Sequence, residues 1–483
     1  MLGLKFTRSI TMCFVTKVIL CIYISININA CKYDAVNEKQ QINAEVDNNS
    51  NNNQGSNIQE GNIQEGNIVL PIIPQCDGPC TCDEVVVKYN DTGALRSAET
   101  LSSNLSFCSF AILLGQDCRF GRDADNTLDK IGTGNGGFDF NKISSEGDTL
   151  FEEAPQWDCV NDNHTGLMWE VKHNSQSANI RNNTNTFSWS LDEFPEYMSE
   201  NNGECNVLGK CDTQAYIDNI NNNQLCGFDD WRLPTRHELQ DIVDYGSYQP
   251  SIDTKFFPRT KMGLYWTSSI DTDDIGSVWQ VGFYSGRVAG SATRDARFIR
   301  LVREHQVLKT DTLLASSNEQ DITQRNILAP IQRCNSQAAL SAPISRFKQD
   351  LQGNILDTKT GLIWKRCVAG LSGQYCDEGE ALKMSWIQAL MYAEKVTNNE
   401  TEPLATSWRL PNVKELQSTV ETQCEEPALN PFAFPNVPME NAWTSTPHLF
   451  FADSSYYIQY QNSIIFYGSR EEQLNVHLVR NCQ

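Results

Sequence analysis

The chain has 483 residues and a formal net charge of −22, from 60 acidic against 38 basic side chains. That balance argues against nucleic acid and against non-specific attraction to anionic surfaces. Ten tryptophans and 21 phenylalanines supply apolar material for more than one core. A basic start, a short apolar stretch through Phe14, Val18, Leu20 and Ile22, and a small residue at Ala30 predict a secretory signal over 1–30. Lys17 interrupts the stretch, which is too short for a membrane-spanning helix.

Ile28-Asn29-Ala30-Cys31 resembles the lipobox of bacterial lipoproteins, with Asn29 its one departure. The resemblance implies a lipid on Cys31 as the sole membrane attachment, and Lys32 after it implies transfer to the outer membrane or cell surface. Cysteine arithmetic agrees: of 17, removing Cys13, Cys21 and a lipidated Cys31 leaves an even 14, as a disulfide set in an oxidising compartment requires. Residues 31–70, with the Asn48–Asn53 run and the twice-repeated Asn-Ile-Gln-Glu-Gly, hold too little apolar surface to fold and read as a flexible tether. Residues 71–150 form a segment with five cysteines (Cys76, Cys80, Cys82, Cys108, Cys118), expected to be disulfide-bonded rather than metal-binding.

The strongest signal is internal. Trp231-Arg232-Leu233-Pro234 returns as Trp408-Arg409-Leu410-Pro411, and 231–303 laid without a gap on 408–480 agrees at 19 of 73 positions. Thr165-Gly166-Leu167-Met168-Trp169 pairs with Thr360-Gly361-Leu362-Ile363-Trp364, and Trp266-Thr267-Ser268 with Trp443-Thr444-Ser445. Units this long are tandem domains, not solenoid repeats. Thr235 and Glu238 spell a capping box, Asn412 caps the equivalent helix, and a further helix is predicted from Ser385. Alternation over 278–284 and 297–303 predicts strands. The plan is α+β: 151–305 and 345–483 are two copies, each with two helices and a small antiparallel sheet, joined by a polar linker over 306–344 with few obligatory contacts.

Asp-x-x-Thr-Gly-Leu-x-Trp, Trp-Arg-Leu-Pro-x-x-x-Glu-Leu, Phe-Pro, Trp-Thr-Ser and a closing Val-Arg, met in this order in both copies, resemble the Lcl C-terminal domain family, named for the terminal domain of a collagen-like bacterial adhesin. Arg-Leu-Pro-Thr before a helix is also similar to formylglycine-generating enzymes and other C-type-lectin-like folds. The resemblance implies two tandem C-type-lectin-like domains and adhesion to a glycan or protein, and it suggests sulfated polysaccharide, against which the charge of −22 works unless a local basic patch exists.

Chemistry is not expected. The six histidines (164, 173, 237, 305, 448, 477) share no position between the copies, and no phosphate loop, nucleophile elbow or zinc spacing occurs. The expectation is a binding protein rather than an enzyme, with no cofactor. An envelope-assembly lipoprotein is the alternative, and an enzyme on the formylglycine-generating-like fold a remote one. The acidic runs Asp271/Asp273/Asp274 and Asp123/Asp125/Asn126/Asp129 could offer oxygens to calcium but read better as solvated loops, so no metal is assigned. Ligand contact is expected from aromatic side chains of the strand-rich half: Tyr265, Trp279, Tyr284, Tyr457 and Tyr460, about half of each copy's set pointing inward. Cys205–Cys211, Cys367–Cys376 and Cys424–Cys482 are the expected disulfides, with Cys334 free to meet the N-terminal segment.

Overall fold

The computed structural model describes residues 73–76, 89–98, 106–108, 115–125, 127–174, 179–198, 202–205, 211–272, 276–304, 332–335, 340–399 and 407–482. The expected signal, Cys31, the tether, Cys80, Cys82 and most of the 306–344 connection lie outside the described residues. In chain order the first copy has β1 (Phe140–Ile143), β2 (Cys159–Asp162), β3 (Leu167–Glu170), α1 (Thr213–Asn222), α2 (Arg236–Asp241), β4 (Leu264–Ile270), β5 (Ser277–Gly282), β6 (Arg287–Ala292) and β7 (Val302–Glu304). After β8 (Arg333–Cys334) come β9 (Phe347–Gln349), β10 (Ile355–Asp357), β11 (Leu362–Trp364), β12 (Lys383–Met384), α3 (Trp386–Asn399), α4 (Val413–Ser418) and β13 (Cys424–Glu425). The chain closes with β14 (Asn441–Pro447), β15 (Ser454–Gln459), β16 (Ile465–Ser469), β17 (Leu474–Asn475) and β18 (Val479–Asn481).

The shared motifs fold for local reasons. In Asp-x-x-Thr-Gly, the Asp162 carboxylate accepts from the N–H groups of His164 (3.0 Å) and Thr165 (3.1 Å), and Gly166 turns the chain at φ +75°, where a side chain would be strained. That turn joins β2 to β3; Asp357 and Gly361 (φ +69°) do the same between β10 and β11. The arginine of each Trp-Arg-Leu-Pro grips in bidentate fashion the glutamate that caps the next helix: Arg232 to Glu238 at 2.8 and 2.7 Å, Arg409 to Glu415 at 2.6 Å twice. Both helices, α2 and α4, start in complete capping boxes, on Thr235 and Asn412. The motif residues are therefore scaffold. Trp189 and Trp386 likewise donate, each at 2.8 Å, to the carbonyls of Thr267 and Thr444.

Each copy has a four-stranded antiparallel sheet, in the orders β1-β2-β3-β7 and β9-β10-β11-β18. Eight further strands form one sheet, β12-β17-β14-β15-β16-β6-β5-β4, running across both copies, and β8 pairs with β13 apart from it. The join is β6 against β16, where Val288 faces Ile465. These two residues are equivalent in the repeat: Val281 pairs with Val288 on β5–β6, and Ile458 with Ile465 on β15–β16, at the same 177-residue displacement as Trp231 and Trp408. A residue that pairs with its own counterpart lies on a pseudo-twofold axis, the geometry of a symmetric dimer within one chain. Contacts beside the axis come in matched pairs. Trp279 Nε1 donates to the Thr422 carbonyl at 3.3 Å, and the equivalent Tyr456 packs edge-on against the equivalent Tyr245 at 4.9 Å. Arg236, fully buried, lies 4.0 Å over Trp279 and reaches across to Ser463 Oγ (2.6 Å), the Ser463 carbonyl and Gln417 Oε1 (3.1 Å). One hydrophobic cluster includes Leu239, Trp279 and Val288 together with Leu416, Tyr456 and Ile465. The two copies thus share one sheet and one core, joined where Val288 of β6 pairs with Ile465 of β16.

The N-terminal segment is wedged against both copies. The Thr92 carbonyl accepts from Tyr245 N–H (2.7 Å), Asp91 Oδ1 from Asn412 Nδ2 (2.9 Å), the Asp91 carbonyl from Lys414 Nζ (2.8 Å), and Asp117 Oδ2 from Thr446 Oγ1 (2.6 Å). Disulfides link Cys108–Cys118, Cys159–Cys226, Cys205–Cys211, Cys334–Cys424 and Cys367–Cys376. The expected Cys424–Cys482 bridge is corrected. Cys424 stands opposite Cys334 in the β8–β13 pair, 4.0 Å between Cα atoms, so the linker and not the last strand brings its partner; Cys482 is also disulfide-bonded.

Candidate functional site

Three of the five expected ligand-contacting aromatics are core. Tyr265 is buried and its hydroxyl accepts from Lys261 N–H at 2.9 Å. Trp279 is buried beneath Arg236. Tyr460 is buried and donates to His477 Nδ1 at 3.1 Å, since His477 Nε2 must give its proton to the Lys365 carbonyl at 2.6 Å. The structure corrects these three: β4 and β5 are buried on both faces, and Tyr460 follows β15 with its ring in the core. Tyr457 is half-buried, and Tyr284, 43 % exposed, reaches solvent.

Tyr284 leads to the feature that sequence reasoning missed. Around the seam a run of rings crosses from one copy to the other. Tyr284 meets Tyr248 at 5.2 Å, Tyr248 stacks on Phe450 at 4.8 Å and 13°, Phe450 meets Phe451 at 5.3 Å, and Phe451 stacks on Tyr467 at 5.4 Å and 24°. Phe450 is 63 % and Phe451 37 % exposed. His448 sits beneath, 4.3 Å from Tyr467, 4.9 Å from Phe451 and 5.3 Å from Tyr456. Its Nδ1 accepts from the N–H groups of Phe450 (3.2 Å) and Phe451 (3.0 Å), which puts the proton on Nε2, a buried nitrogen without a hydrogen-bond partner. Burial, aided by Arg470, pulls this imidazole down to about 4, so it is neutral near pH 7. The turn 448–451 is therefore held from within by a ring that carries no charge.

A cavity of about 220 Å³ opens beside the rings, lined by Gly93–Arg96 of the N-terminal segment, Asn135, Tyr245 and Gly246 of the first copy, and Pro447 and Leu449 of the second. Two of its walls lead directly into the rings, Tyr245 and Gly246 preceding Tyr248, and Pro447 and Leu449 preceding Phe450. Gly93 (φ +76°) packs so closely that a Cβ there would overlap the Asp244 carboxylate, so only glycine fits. Asp244 accepts from Gly246 N–H (2.8 Å), Ser247 Oγ (2.6 Å) and Asn135 Nδ2 (3.0 Å), and burial raises it to about 6. Below lies a buried trio, Asp91, Asp117 and Asp123, each raised first by burial, Asp117 to about 7 with Asp123 repelling it. Thr92 Oγ1 donates toward Asp117 (2.8 Å) and Asp123 (3.1 Å), and Gly93 N–H to Asp123 (2.7 Å).

Other chemistry is scattered. Among the described residues no group of three or more His, Cys, Asp or Glu is arranged to hold a metal ion. Asp123 is engaged by backbone N–H groups and Asp125 by Thr127, while Asn126, Asp273 and Asp274 lie outside the described residues. Lys172, Glu170 and Tyr216 form a buried network in the first copy, with Lys172 brought down to about 8 by burial. They line neither this cavity nor a second, of about 510 Å³, bounded by Asn354, Arg366, Ser372 and Tyr392 of the second copy.

The family model described as the Lcl C-terminal domain matches residues 158–303 and 353–480, one match for each copy. No curated protein matches the chain, and no solved structure matches it.

Proposed function

The chain belongs to the Lcl C-terminal domain family, and from that premise we propose that it is a cell-surface lipoprotein that binds an extracellular glycan or protein through the aromatic seam. The observation that carries this reading is the ring run itself. Large apolar side chains exposed together beside a cavity are a cost to a free monomer unless something covers them, and here the rings come from both copies, beside a cavity walled in part by the N-terminal segment. The finer parts of the proposal rest on sequence: a C-type-lectin-like fold for each copy, export by the 1–30 signal, a lipid on Cys31 and display at the outer membrane or cell surface, with 31–70 as tether. No cofactor enters the reading, and no catalytic step is assigned. The test is binding of the disulfide-bonded ectodomain, from residue 71 on, to arrays of immobilised glycans and extracellular-matrix proteins, beside a Tyr284→Ala/Phe450→Ala variant. Binding that disappears in the variant supports the proposal. Binding that survives it, or none to any surface, sinks it. Mass spectrometry of the mature N-terminus tests the anchor, and an unmodified Cys31 removes that part alone.

A further inference from the structure

We infer that the cavity of about 510 Å³ in the second copy is a binding site for a small organic anion, a carboxylate or a phosphate ester, whose charged end meets Arg366. The inference is independent of the aromatic seam, since the two cavities share no lining residue.

Three stretches build the site. Beyond β11, Lys365 N–H donates to the Leu478 carbonyl (2.9 Å) and Ala369 N–H to that of Val476 (2.8 Å), and the Cys367–Cys376 disulfide closes the loop that follows. The β9–β10 turn brings Gln352 and Asn354, and α3 brings Tyr392 and Val396, four residues apart and so on one face.

Charge identifies the ligand class. Arg366 is half-buried, and its one hydrogen bond among the described residues runs from Nη2 to the Phe432 carbonyl (3.2 Å). Its Nε is buried without a partner. Burial lowers this guanidinium from its ordinary value; Tyr375 alone among the described titrating groups opposes the shift, and no carboxylate does. A desolvated cation without a counter-charge is costly, and a second cation, Lys365, lines the same cavity. In a chain of net −22, that lining contains no Asp or Glu. Acids on the same loops are engaged or exposed. Asp350 accepts from Gln352 N–H (2.9 Å), Asn354 N–H (2.7 Å) and Asn354 Nδ2 (2.8 Å). Glu378 accepts from Ser372 Oγ (3.3 Å), and both it and Asp377, beside Gly373, are exposed. The remaining lining suits an organic body, with apolar contact from Tyr392, Val396 and Leu478 and amides from Asn354 and Gln374. The volume lies within the roughly 300–1,000 Å³ of small-molecule sites, large for a bare ion.

The repeat sharpens the point. Trp169 and Trp364 are equivalent, so Lys365-Arg366 stand where the first copy has Glu170-Val171. Glu170 is buried and paired with Lys172 at 2.9 Å. The same scaffold folds without the two cations, which therefore belong to this cavity and not to the framework.

The test is saturation-transfer NMR and calorimetric titration of the disulfide-bonded ectodomain, from residue 71 on, with a charge series on one ring. The probes are benzoate, phenyl phosphate, neutral benzyl alcohol and cationic benzylamine, with inorganic phosphate beside them. The expected result is that benzoate or phenyl phosphate binds at least tenfold more tightly than benzyl alcohol, while benzylamine does not bind. The tighter of the two anions separates a carboxylate from a phosphate ester. Arg366→Met should weaken that anion at least tenfold, Arg366→Lys should recover part of the loss, and the remote Tyr284→Ala should change nothing. The charge series needs only the wild-type protein, so it decides even where Arg366→Met fails to fold. Benzyl alcohol binding as tightly as the anions overturns the inference, as does binding of neither anion at about 10 mM. Anion binding that a folded Arg366→Met leaves intact also overturns it, and so does inorganic phosphate binding as tightly as phenyl phosphate, which would mark an adventitious ion only. None of these outcomes bears on the seam reading.

Discussion

Replacing Arg236 with methionine tests whether the two copies are held as one body at the pseudo-twofold seam. The guanidinium is fully buried and is the donor for Ser463 Oγ, the Ser463 carbonyl and Gln417 Oε1, all in the opposite copy. Methionine keeps an unbranched stem over Trp279 but donates nothing, and each buried acceptor left without its partner costs about 1–3 kcal/mol. Three such losses are partly offset, because the Ser463 hydroxyl can turn and because a desolvated charge, already pulled down to about 9 by burial, is removed. The net expectation is a loss of about 3 kcal/mol. Urea denaturation with fluorescence detection measures it, and hydrogen exchange locates it: amides of β6 and β16 should exchange faster while those of β1–β3 do not. Arg287→Met, at an exposed cation at the start of β6, should stay within about 0.5 kcal/mol of wild type. An Arg236→Met protein with an unchanged midpoint and unchanged protection along β6 and β16 would refute the reasoning.

Two further outcomes follow from buried groups. Asp117 has a folded-state carboxyl raised to about 7 from an ordinary 3.8, so the folded state holds a proton that the unfolded state has released, and stability falls as pH rises through that window. Asp117→Asn should therefore gain on wild type by on the order of 2 kcal/mol more at pH 8 than at pH 5. The buried histidines, lowered in both proteins, cancel in that difference, and an equal or smaller gain at pH 8 would contradict the assignment. The Cys334–Cys424 bridge spans 90 residues, and its removal by paired alanine substitutions should cost about 4–5 kcal/mol in the chain-entropy model; non-reducing peptide mapping that joins Cys424 to Cys482 instead would overturn the pairing.

What the sequence disclosed and what it hid divide along a physical line. Capping boxes, the Asp-Gly turns and the tryptophan positions are local: a hydroxyl or carboxylate three residues from its N–H, or a glycine at positive φ, is written in adjacent letters. The repeat was legible for the same reason, because its motifs keep their spacing. The seam was not, because Val288 and Ile465 share no identity that marks them as partners, and an edge strand looks alike in sequence whether it meets solvent or its own counterpart. Cys424 shows the same limit: an exposed chain end and a linker cysteine are equally plausible partners until β8 is seen to pair with β13. Among the binding candidates, alternation predicted that some tyrosines turn inward but not which, since Tyr265 and Trp279 face a core that is partly supplied by the other copy. The ring run did leave a trace, Phe450-Phe451 standing where the first copy has Asp273-Asp274, visible only when the repeats are compared for difference.

That difference bears on why two copies share one chain. A pseudo-twofold join creates two equivalent clefts, and in an assembly of identical subunits any substitution changes both at once. Here the turn 448–451 supplies rings to one cleft, but Tyr248 and Tyr284, which complete it, come from the first copy. Their equivalents in the second copy are Glu425 and Gln461. A dimer of second copies would set Phe450 against a carboxylate and an amide, and in a dimer of first copies the sequence has Asp273 and Asp274 in place of Phe450 and Phe451. Neither homodimer holds the continuous run of rings. Only the unlike pair does, and covalent linkage guarantees that pairing. The N-terminal segment takes part on the ring side as well, where Gly93–Arg96 wall the cavity.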